Sequence, residues 1–237
     1  MGSHPVPIVT GVYIRDTAEI FDHIALDEDA VAEQARAVLE DLSVQVIKVG
    51  FCGTPETLST IAEITSDYGE VPVVAYTPNL SWWADEQIDN YLDAFRELML
   101  PQTTLLVGHH NTLWRWLLPD WSSERAPNAR DLARAAAQMG TPYVLVTGIQ
   151  LPDQFIDNVL ASAQGAMAGE RFRPAPGFGF VGVHRQRVVV ASTGMRHVIG
   201  TTAHRALIPG INDVKHEWRL YCDRWMQRRR RTPGTKA

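Results

Sequence analysis

The 237-residue chain is poor in cysteine, with Cys52 and Cys222 only. Two thiols make no disulfide framework, so a reducing compartment, the cytoplasm, is expected. No run of apolar residues reaches the length of about eighteen that a membrane-spanning helix needs. The first five residues carry neither a basic region nor an apolar signal core, so secretion is not indicated. Neither a Gly-x-x-x-x-Gly-Lys-(Ser/Thr) loop nor a Gly-x-Gly-x-x-Gly fingerprint occurs, and any phosphate handling needs another device. Ser162, His184 and Asp157 are residue types of a hydrolase, but no nucleophile-elbow pattern supports one. His109 and His110 are adjacent with no third ligand at metal spacing, so no metal site is assigned.

What is present is enough apolar material, 45% of residues, to bury the core of an α/β domain. The net charge of −5 conceals a split. From Arg171 onward there are fourteen Lys and Arg against three Asp and Glu, a balance of +11, while the preceding residues carry −16. Such a split marks a basic interaction tail or a segment of different origin. The run Arg228-Arg229-Arg230-Arg231 is a potential nucleic-acid or acidic-lipid contact. Beside Pro233 and Gly234 it reads better as a solvated end, and neither nucleic acid nor membrane is an expected partner.

Periodicity predicts strands over 7–14, 44–49, 71–76, 102–107 and 143–148. Helices are predicted over 27–42 (capped by Asp27), 55–67, 85–99, 112–118 and 128–139 (capped by Asn128 and stopped at Gly140). Five strands alternating with helices imply parallel βαβ units: an α/β fold of three layers, αβα, with a mostly parallel, doubly wound sheet. Beyond about Gly165 the alternation decays. Residues 187–191 read as one more strand, and 214–231 as a loosely periodic basic helix.

The stretch from Val44 to Glu56 organises the chain. Val44, Val46, Ile47 and Val49 form a β-branched, buried strand pattern. Gly50 and Gly53 make a turn where backbone can approach a ligand, and Thr54, Pro55 and Glu56 open a helix. Open α/β sheets place ligands at such turns, although a plain βα turn fits equally. Cys52 reads as a small buried residue rather than a nucleophile of lowered pKa. Asn111 reads as the cap of the following helix. Trp82, Trp83, Trp114 and Trp116 serve either as stacking surfaces for a flat heterocycle or as core.

Three segments together resemble the hydroxymethylpyrimidine/phosphomethylpyrimidine kinases of thiamine biosynthesis, members of the ribokinase-like superfamily. Val9-Thr10-Gly11-Val12-Tyr13-Ile14-Arg15-Asp16-Thr17 resembles a strand and turn in which Val-Thr precedes Gln-Asn-Thr or Gln-Asp-Thr. Ile47-Lys48-Val49-Gly50-Phe51-Cys52-Gly53 resembles Lys-(Ile/Thr)-Gly-Met-Leu-Gly, and Tyr143-Val144-Leu145-Val146-Thr147-Gly148 resembles Val-Leu-Val-Lys-Gly. The likeness covers residues 2–163. It implies an incomplete ribokinase-like core over 1–170 and a basic, diverged segment over 171–237.

The resemblance further implies an ATP- and Mg²⁺-dependent kinase acting on a small heterocycle, hydroxymethylpyrimidine or its monophosphate, as a cytoplasmic homodimer. Arg15, Gly50, Phe51 and Gly53 would bind substrate; His109, Asn111, Thr147, Gly148 and Gly182 would face the nucleotide. Departures accompany it. Arginine at 15 replaces a glutamine, a two-way hydrogen-bonding group, with a pure donor. The family's opening substrate segment lies upstream of the part matched by Gly2. After Gly182 the expected Gly-x-Gly-(Asp/Cys)-Thr is replaced by Val183-His184-Arg185-Gln186-Arg187, leaving the catalytic base unassigned. Together with the charge split, this suggests a frame change or diverged end. The activity would then be impaired, with a pyridoxal kinase-like enzyme or a catalytically inactive scaffold or binding protein as alternatives.

Overall fold

The computed structural model describes residues 5–16, 19–172, 188–193 and 196–201. Gly182, the basic run 228–231 and the expected helix 214–231 lie outside the described residues. Pro7–Arg185 make one compact unit, and a separate one contains the two last strands described below.

The chain enters through β1 (Gly11–Arg15) and β2 (Ile20–Ala25), which pair antiparallel as a two-stranded hairpin. The turn is tied locally: the Asp16 carboxylate accepts from the Glu19 N–H at 2.8 Å. This corrects one expectation. The first predicted strand joins no parallel βαβ unit; it pairs with β2, which the helix-and-strand alternation did not reveal.

α1 (Glu28–Asp41) follows, with the Asp27 carboxylate capping the N–H groups of Asp29 and Ala30. β3 (Ile47–Val49) leads into α2 (Pro55–Asp67), whose N-cap is Thr54 and whose first turn holds Pro55 and Glu56. A proline at the first helical position loses no bond, because that N–H is unpaired in any helix. β4 (Val73–Thr77) precedes α3 (Asp85–Ala94), which continues through a π-helical turn at Phe95–Met99. β5 (Leu105–His109) passes directly into α4 (His110–Leu117). α5 (Ala129–Gln138) begins with a reciprocal capping box between Asn128 and Asp131. It ends at Met139 and Gly140, the glycine at φ +94°.

β6 (Tyr143–Gln150) completes the alternating part, and β7 (Ile156–Ser162) and β8 (Gly165–Phe172) add a hairpin. The six-stranded sheet has the order β3-β4-β5-β6-β7-β8. Its first four strands are parallel and its last two antiparallel. The expected class is therefore observed: a central, mostly parallel sheet flanked by helices. Among the described residues the strand order never turns back, so the switch-point crevice of a doubly wound sheet is not formed by these strands. In the second unit, β9 (Val188–Thr193) pairs antiparallel with β10 (Arg196–Thr201), which places a strand on the predicted stretch 187–191.

The core explains why the parallel strands read as continuous apolar runs. Val73, Val74, Ala75, Leu105, Leu106, Val107, Val144 and Val146 are all buried, as strands covered on both faces must be. Leu58, Tyr91, Phe95, Met99, Leu113, Leu132 and Ala136 bring the helices onto them. At about 25 cal/mol per Å² of apolar area, this cluster supplies the main drive to fold.

Candidate functional site

The carboxyl ends of the parallel strands carry two corners of different make-up. At the β3 corner, the turn Gly50-Phe51-Cys52-Gly53 leaves the sheet and opens α2. Gly53 has φ +92°, and a Cβ there would lie 3.1 Å from the Ala25 side chain and 3.2 Å from Nε2 of His23. Only glycine tolerates both the backbone angle and the close approach of the β1–β2 hairpin. A Cβ on Gly50 would meet nothing within 4 Å, so this position borders open space.

Phe51 is the hub of an aromatic cluster. Its ring centroid lies 5.1 Å from His23, 5.7 Å from Trp82, 5.2 Å from Trp83, 6.0 Å from Tyr13 and 5.0 Å from Tyr91. Most of these pairs are edge-to-face or tilted, the arrangement that the ring quadrupole favours. Trp82 and Trp83 stack on each other at 5.8 Å. They are held by a local turn in which the Asn79 side chain accepts from the Ser81 N–H and the Asn79 carbonyl accepts from the Trp82 indole. Thr10 fastens the hairpin to the turn by donating its hydroxyl to the Phe51 carbonyl at 3.1 Å.

Cys52 is structural. It is buried, its N–H donates to the Tyr91 hydroxyl at 3.0 Å, and its thiol points to the Gly50 carbonyl at 3.5 Å. Burial pushes the thiol up to about 12, the reverse of what a nucleophile needs. Burial also pushes Tyr13 and Tyr76 up to about 12, so the cluster is neutral around its rings. His23 is half-buried, and burial lowers its pKa, against the nearby Asp22. Its Nε2 is covered and has no hydrogen-bond partner. Arg15 is exposed on β1 beside a bulge at Ile14/Arg15, and its guanidinium donates to the neighbouring Asp16 carbonyl.

At the β5–β6 corner the polar groups are engaged with one another. Asn111 is not the helix cap. His109 is: it has the extended backbone of a cap residue, and its Nδ1 accepts from the Asn111 N–H at 3.3 Å. Because β5 runs straight into α4, the cap falls two residues earlier than the sequence suggested. Thr147 is buried, and its hydroxyl donates to the Gly108 carbonyl. Gly148, at φ +73°, forms a bulge in which Thr147 and Gly148 face Asn158, and its N–H donates to the Asn158 side chain at 3.0 Å. The His109 ring lies over this glycine, where a Cβ would be 2.3 Å from Nε2. His110 bonds the Pro127 carbonyl at 2.7 Å.

Of the sequence-derived candidates, the structure brings Gly50, Phe51 and Gly53 together at one corner and His109, Thr147 and Gly148 at the other. Exposed Asn111 lies at the start of α4. Arg15 stands on the hairpin beside the first group. Trp116 is core, T-shaped against Phe95 at 5.5 Å. His23 was missed, although Ile20-Phe21-Asp22-His23-Ile24 between a polar turn and the Asp27 cap has the length of a partner strand for β1.

MgATP fits these residues only in part. The exposed Asn111 amide and the backbone around Gly148 suit a nucleotide, but the Thr147 hydroxyl and the Gly148 N–H are already bonded. Among the described residues no group of three or more His, Cys, Asp or Glu is placed to hold a metal ion. A Mg²⁺ carried on nucleotide phosphates needs only one or two carboxylates, and none is assigned here. Two cavities open elsewhere. One of about 500 Å³ is lined by Gly140, Pro142, Tyr143, Ser162 and Met167, and one of about 310 Å³ by residues 117–123. Neither touches the carboxyl edge. No helix among the described residues is long and apolar enough to cross a membrane.

The architecture is that of the ribokinase-like kinases. Two solved structures overlay on it with a TM-score of 0.57: a phosphomethylpyrimidine kinase from Clostridium difficile, 16% identical, covering 73% of this chain and 72% of that one, and a Bacillus subtilis pyridoxal kinase in complex with ADP, 17% identical, covering 70% and 62%. The phosphomethylpyrimidine kinase family matches residues 1–174, and the chain belongs to that family. A hydroxymethylpyrimidine/phosphomethylpyrimidine kinase of Streptomyces coelicolor is 25% identical over 161 residues, covering 66% of this chain and 58% of the relative. One of Mycobacterium tuberculosis is 29% identical over 150 residues, covering 62% and 54%. The chain thus spans a little over half the length of these relatives.

Proposed function

We propose that this chain binds hydroxymethylpyrimidine or its monophosphate at the β3 corner and serves their ATP-dependent phosphorylation in thiamine biosynthesis, as a cytoplasmic homodimer. The observation that supports this most is the neutral aromatic cluster around Phe51, set on a glycine turn at the carboxyl edge of a parallel sheet. A flat aminopyrimidine suits such a surface, since stacking and edge contacts hold a ring without demanding a charge. Gly50 borders open space, Gly53 admits the close approach of the hairpin, and Tyr13 and Trp82 flank Phe51 from the hairpin and the β4–α3 loop.

In this reading MgATP supplies the phosphoryl group and leaves as MgADP; the hydroxymethyl oxygen of the free pyrimidine takes it and gives up its proton, whereas on the monophosphate a phosphate oxygen takes it. The residues described here bind and orient the ring and keep water from it. Asn111 and the Thr147–Gly148 backbone are the groups proposed to face the nucleotide, together with Gly182. No base is assigned.

The test is an ATP-consumption assay with the whole chain against hydroxymethylpyrimidine, its monophosphate and pyridoxal, with and without Mg²⁺. Mg²⁺-dependent turnover on the pyrimidines supports the reading. Turnover on pyridoxal alone replaces the substrate, and binding without turnover makes the chain a scaffold that keeps the pocket.

A further inference from the structure

The His23 imidazole is itself a flat heteroaromatic ring, and it stands at the centre of the aromatic corner. Four ring centroids surround it: Phe51 at 5.1 Å, Trp82 at 5.9 Å, Tyr13 at 6.0 Å and Trp83 at 6.0 Å. Its Nε2 lies 3.2 Å from where a Cβ of Gly53 would be. The imidazole therefore rests on the one turn glycine whose missing side chain makes room for a ring. It pays for that place with a covered nitrogen that has no partner, an arrangement that folded proteins avoid unless something else uses the site. A heterocycle that packs on Phe51 and Gly53 and a histidine that already does so cannot both be there.

We propose that His23 is a built-in occupant of the heterocycle site, so that the β1–β2 hairpin is a plugged flap and a flat heteroaromatic ligand binds by taking the place of the imidazole. This deepens the proposed function and rests on the same corner. The hairpin is suited to the exchange. It belongs to no larger sheet, and its hydrogen bonds to the body include those from Thr10 to Phe51 and between the Gln34 side chain and Val9. Its outward residues Val12, Ile14 and Ile24 are 55%, 46% and 57% exposed, so it is held to the body by its inner face, through Tyr13, His23 and Ala25. His23 would leave toward solvent, where its unpartnered nitrogen gains the hydrogen bonds that it lacks in the cluster.

The ligand class follows from the shape of the plug. The slot takes one aromatic ring, neutral because the surrounding rings offer no countercharge, and small enough for the space between Phe51, Trp82 and Tyr13.

The experiment titrates the whole chain and its variants with hydroxymethylpyrimidine, following the fluorescence of Trp82 and Trp83, and repeats the titration with imidazole. A plug that is seated about nine-tenths of the time weakens apparent binding about tenfold. His23→Ala is therefore expected to bind hydroxymethylpyrimidine about tenfold more tightly than the wild type. It is also expected to bind imidazole about tenfold more tightly than the wild type does, and the two ligands should compete. His23→Phe keeps a ring in place without an unpartnered nitrogen, and should bind several-fold more weakly than the wild type.

Equal or weaker binding by His23→Ala, with no gain in imidazole binding, overturns the plug. If that variant does not fold, His23→Phe decides, and wild-type or tighter binding by it overturns the proposal. Tighter imidazole binding by His23→Ala without any response to hydroxymethylpyrimidine leaves the plug standing and removes the pyrimidine reading.

Discussion

At the β3 corner, six rings from the hairpin, the turn, the β4–α3 loop and α3 meet, and the buried Nε2 of His23 among them has no hydrogen-bond partner. At the β5–β6 corner, by contrast, hydroxyls, amides and imidazoles are bonded in pairs: Thr147 to Gly108, Gly148 to Asn158, His109 to Asn111 and His110 to Pro127. Ring packing is non-directional and tolerates exchange of one ring for another. A satisfied polar network is directional, and each group that leaves it strands a partner. The first corner thus has the make-up that the proposed flat ligand needs. The second is closed by its own residues unless a ligand offers better bonds. The largest test of this contrast is Phe51→Ala. Removing the ring that touches five others is expected to cost about 3 kcal/mol, the low end for a phenylalanine because Phe51 is half-buried. Urea unfolding would read it, and heterocycle binding should vanish with it. A loss below about 1 kcal/mol would mean that the ring is surface decoration rather than the hub.

Two glycines sharpen the contrast. Gly148→Ala places a Cβ 2.3 Å from the His109 ring at φ +73°, so the imidazole must swing off its capping bond while the backbone holds an angle that alanine disfavours. About 2 kcal/mol of destabilisation is expected from strain and the lost cap together. Gly50→Ala meets nothing within 4 Å and is expected to stay within about 0.5 kcal/mol. The pair is measured in one set of melts, and equal effects would erase the distinction between an open corner and a closed one.

Much of this was legible in the residues. Local signals with a physical stop or start were decisive: Asp27, Thr54-Pro55 and Asn128 mark where α1, α2 and α5 begin, because capping is a contact between neighbours in sequence. Buried parallel strands also announced themselves as β-branched runs. Pairing partners did not. Val9 to Ile14 reads as a strand in either a sheet or a hairpin, and only the register Tyr13↔His23 decides it. The β7–β8 hairpin hid because its turn, Ala163-Gln164, has neither glycine nor asparagine; the Ser162 hydroxyl holds it by bonding the Gln164 backbone and side chain. Phe51 and its glycines were placed from the turn pattern, whereas His23 was not, since its role arises from a fold-back across the turn that no spacing encodes. Asn111 was misread as the cap because β5 and α4 join without a loop.

Thr147→Val probes the closed corner more gently. Valine fills nearly the same volume at this buried position, but it cannot donate to the Gly108 carbonyl. That carbonyl also lies within the β-ladder, so the loss is expected to be about 1 kcal/mol, the net worth of one neutral hydrogen bond. If Thr147 instead contributes its hydroxyl to a nucleotide, the variant should weaken ATP binding well beyond its effect on the unfolding midpoint. Calorimetric titration beside urea unfolding separates the two.

The smallest expected effect is a pH dependence, and it falls on the open corner. Burial holds the pKa of His23 below its ordinary 6.5, with Asp22 pulling the other way. In the unfolded chain the imidazole takes up a proton near 6.5, while in the folded chain it resists doing so. The unfolded state therefore binds more protons between the two values, and the native state loses stability as pH falls through 6.5 toward the lower folded pKa. Above 6.5 the group is neutral in both states and contributes no slope. The informative quantity is a difference, in which contributions common to both proteins cancel: the urea midpoint of the wild type minus that of His23→Phe, followed from pH 8 to pH 5. It should be flat above pH 7 and fall below 6.5. The neighbours Tyr13 and Cys52 stay neutral throughout, held up to about 12, which leaves Asp22 as the charge able to blunt the effect. Asp22→Asn should then steepen it. A difference that rises as the pH falls would mean that the imidazole is stabilised as a cation, and an aromatic slot that welcomes a charge would point to a cationic ligand instead of a neutral pyrimidine.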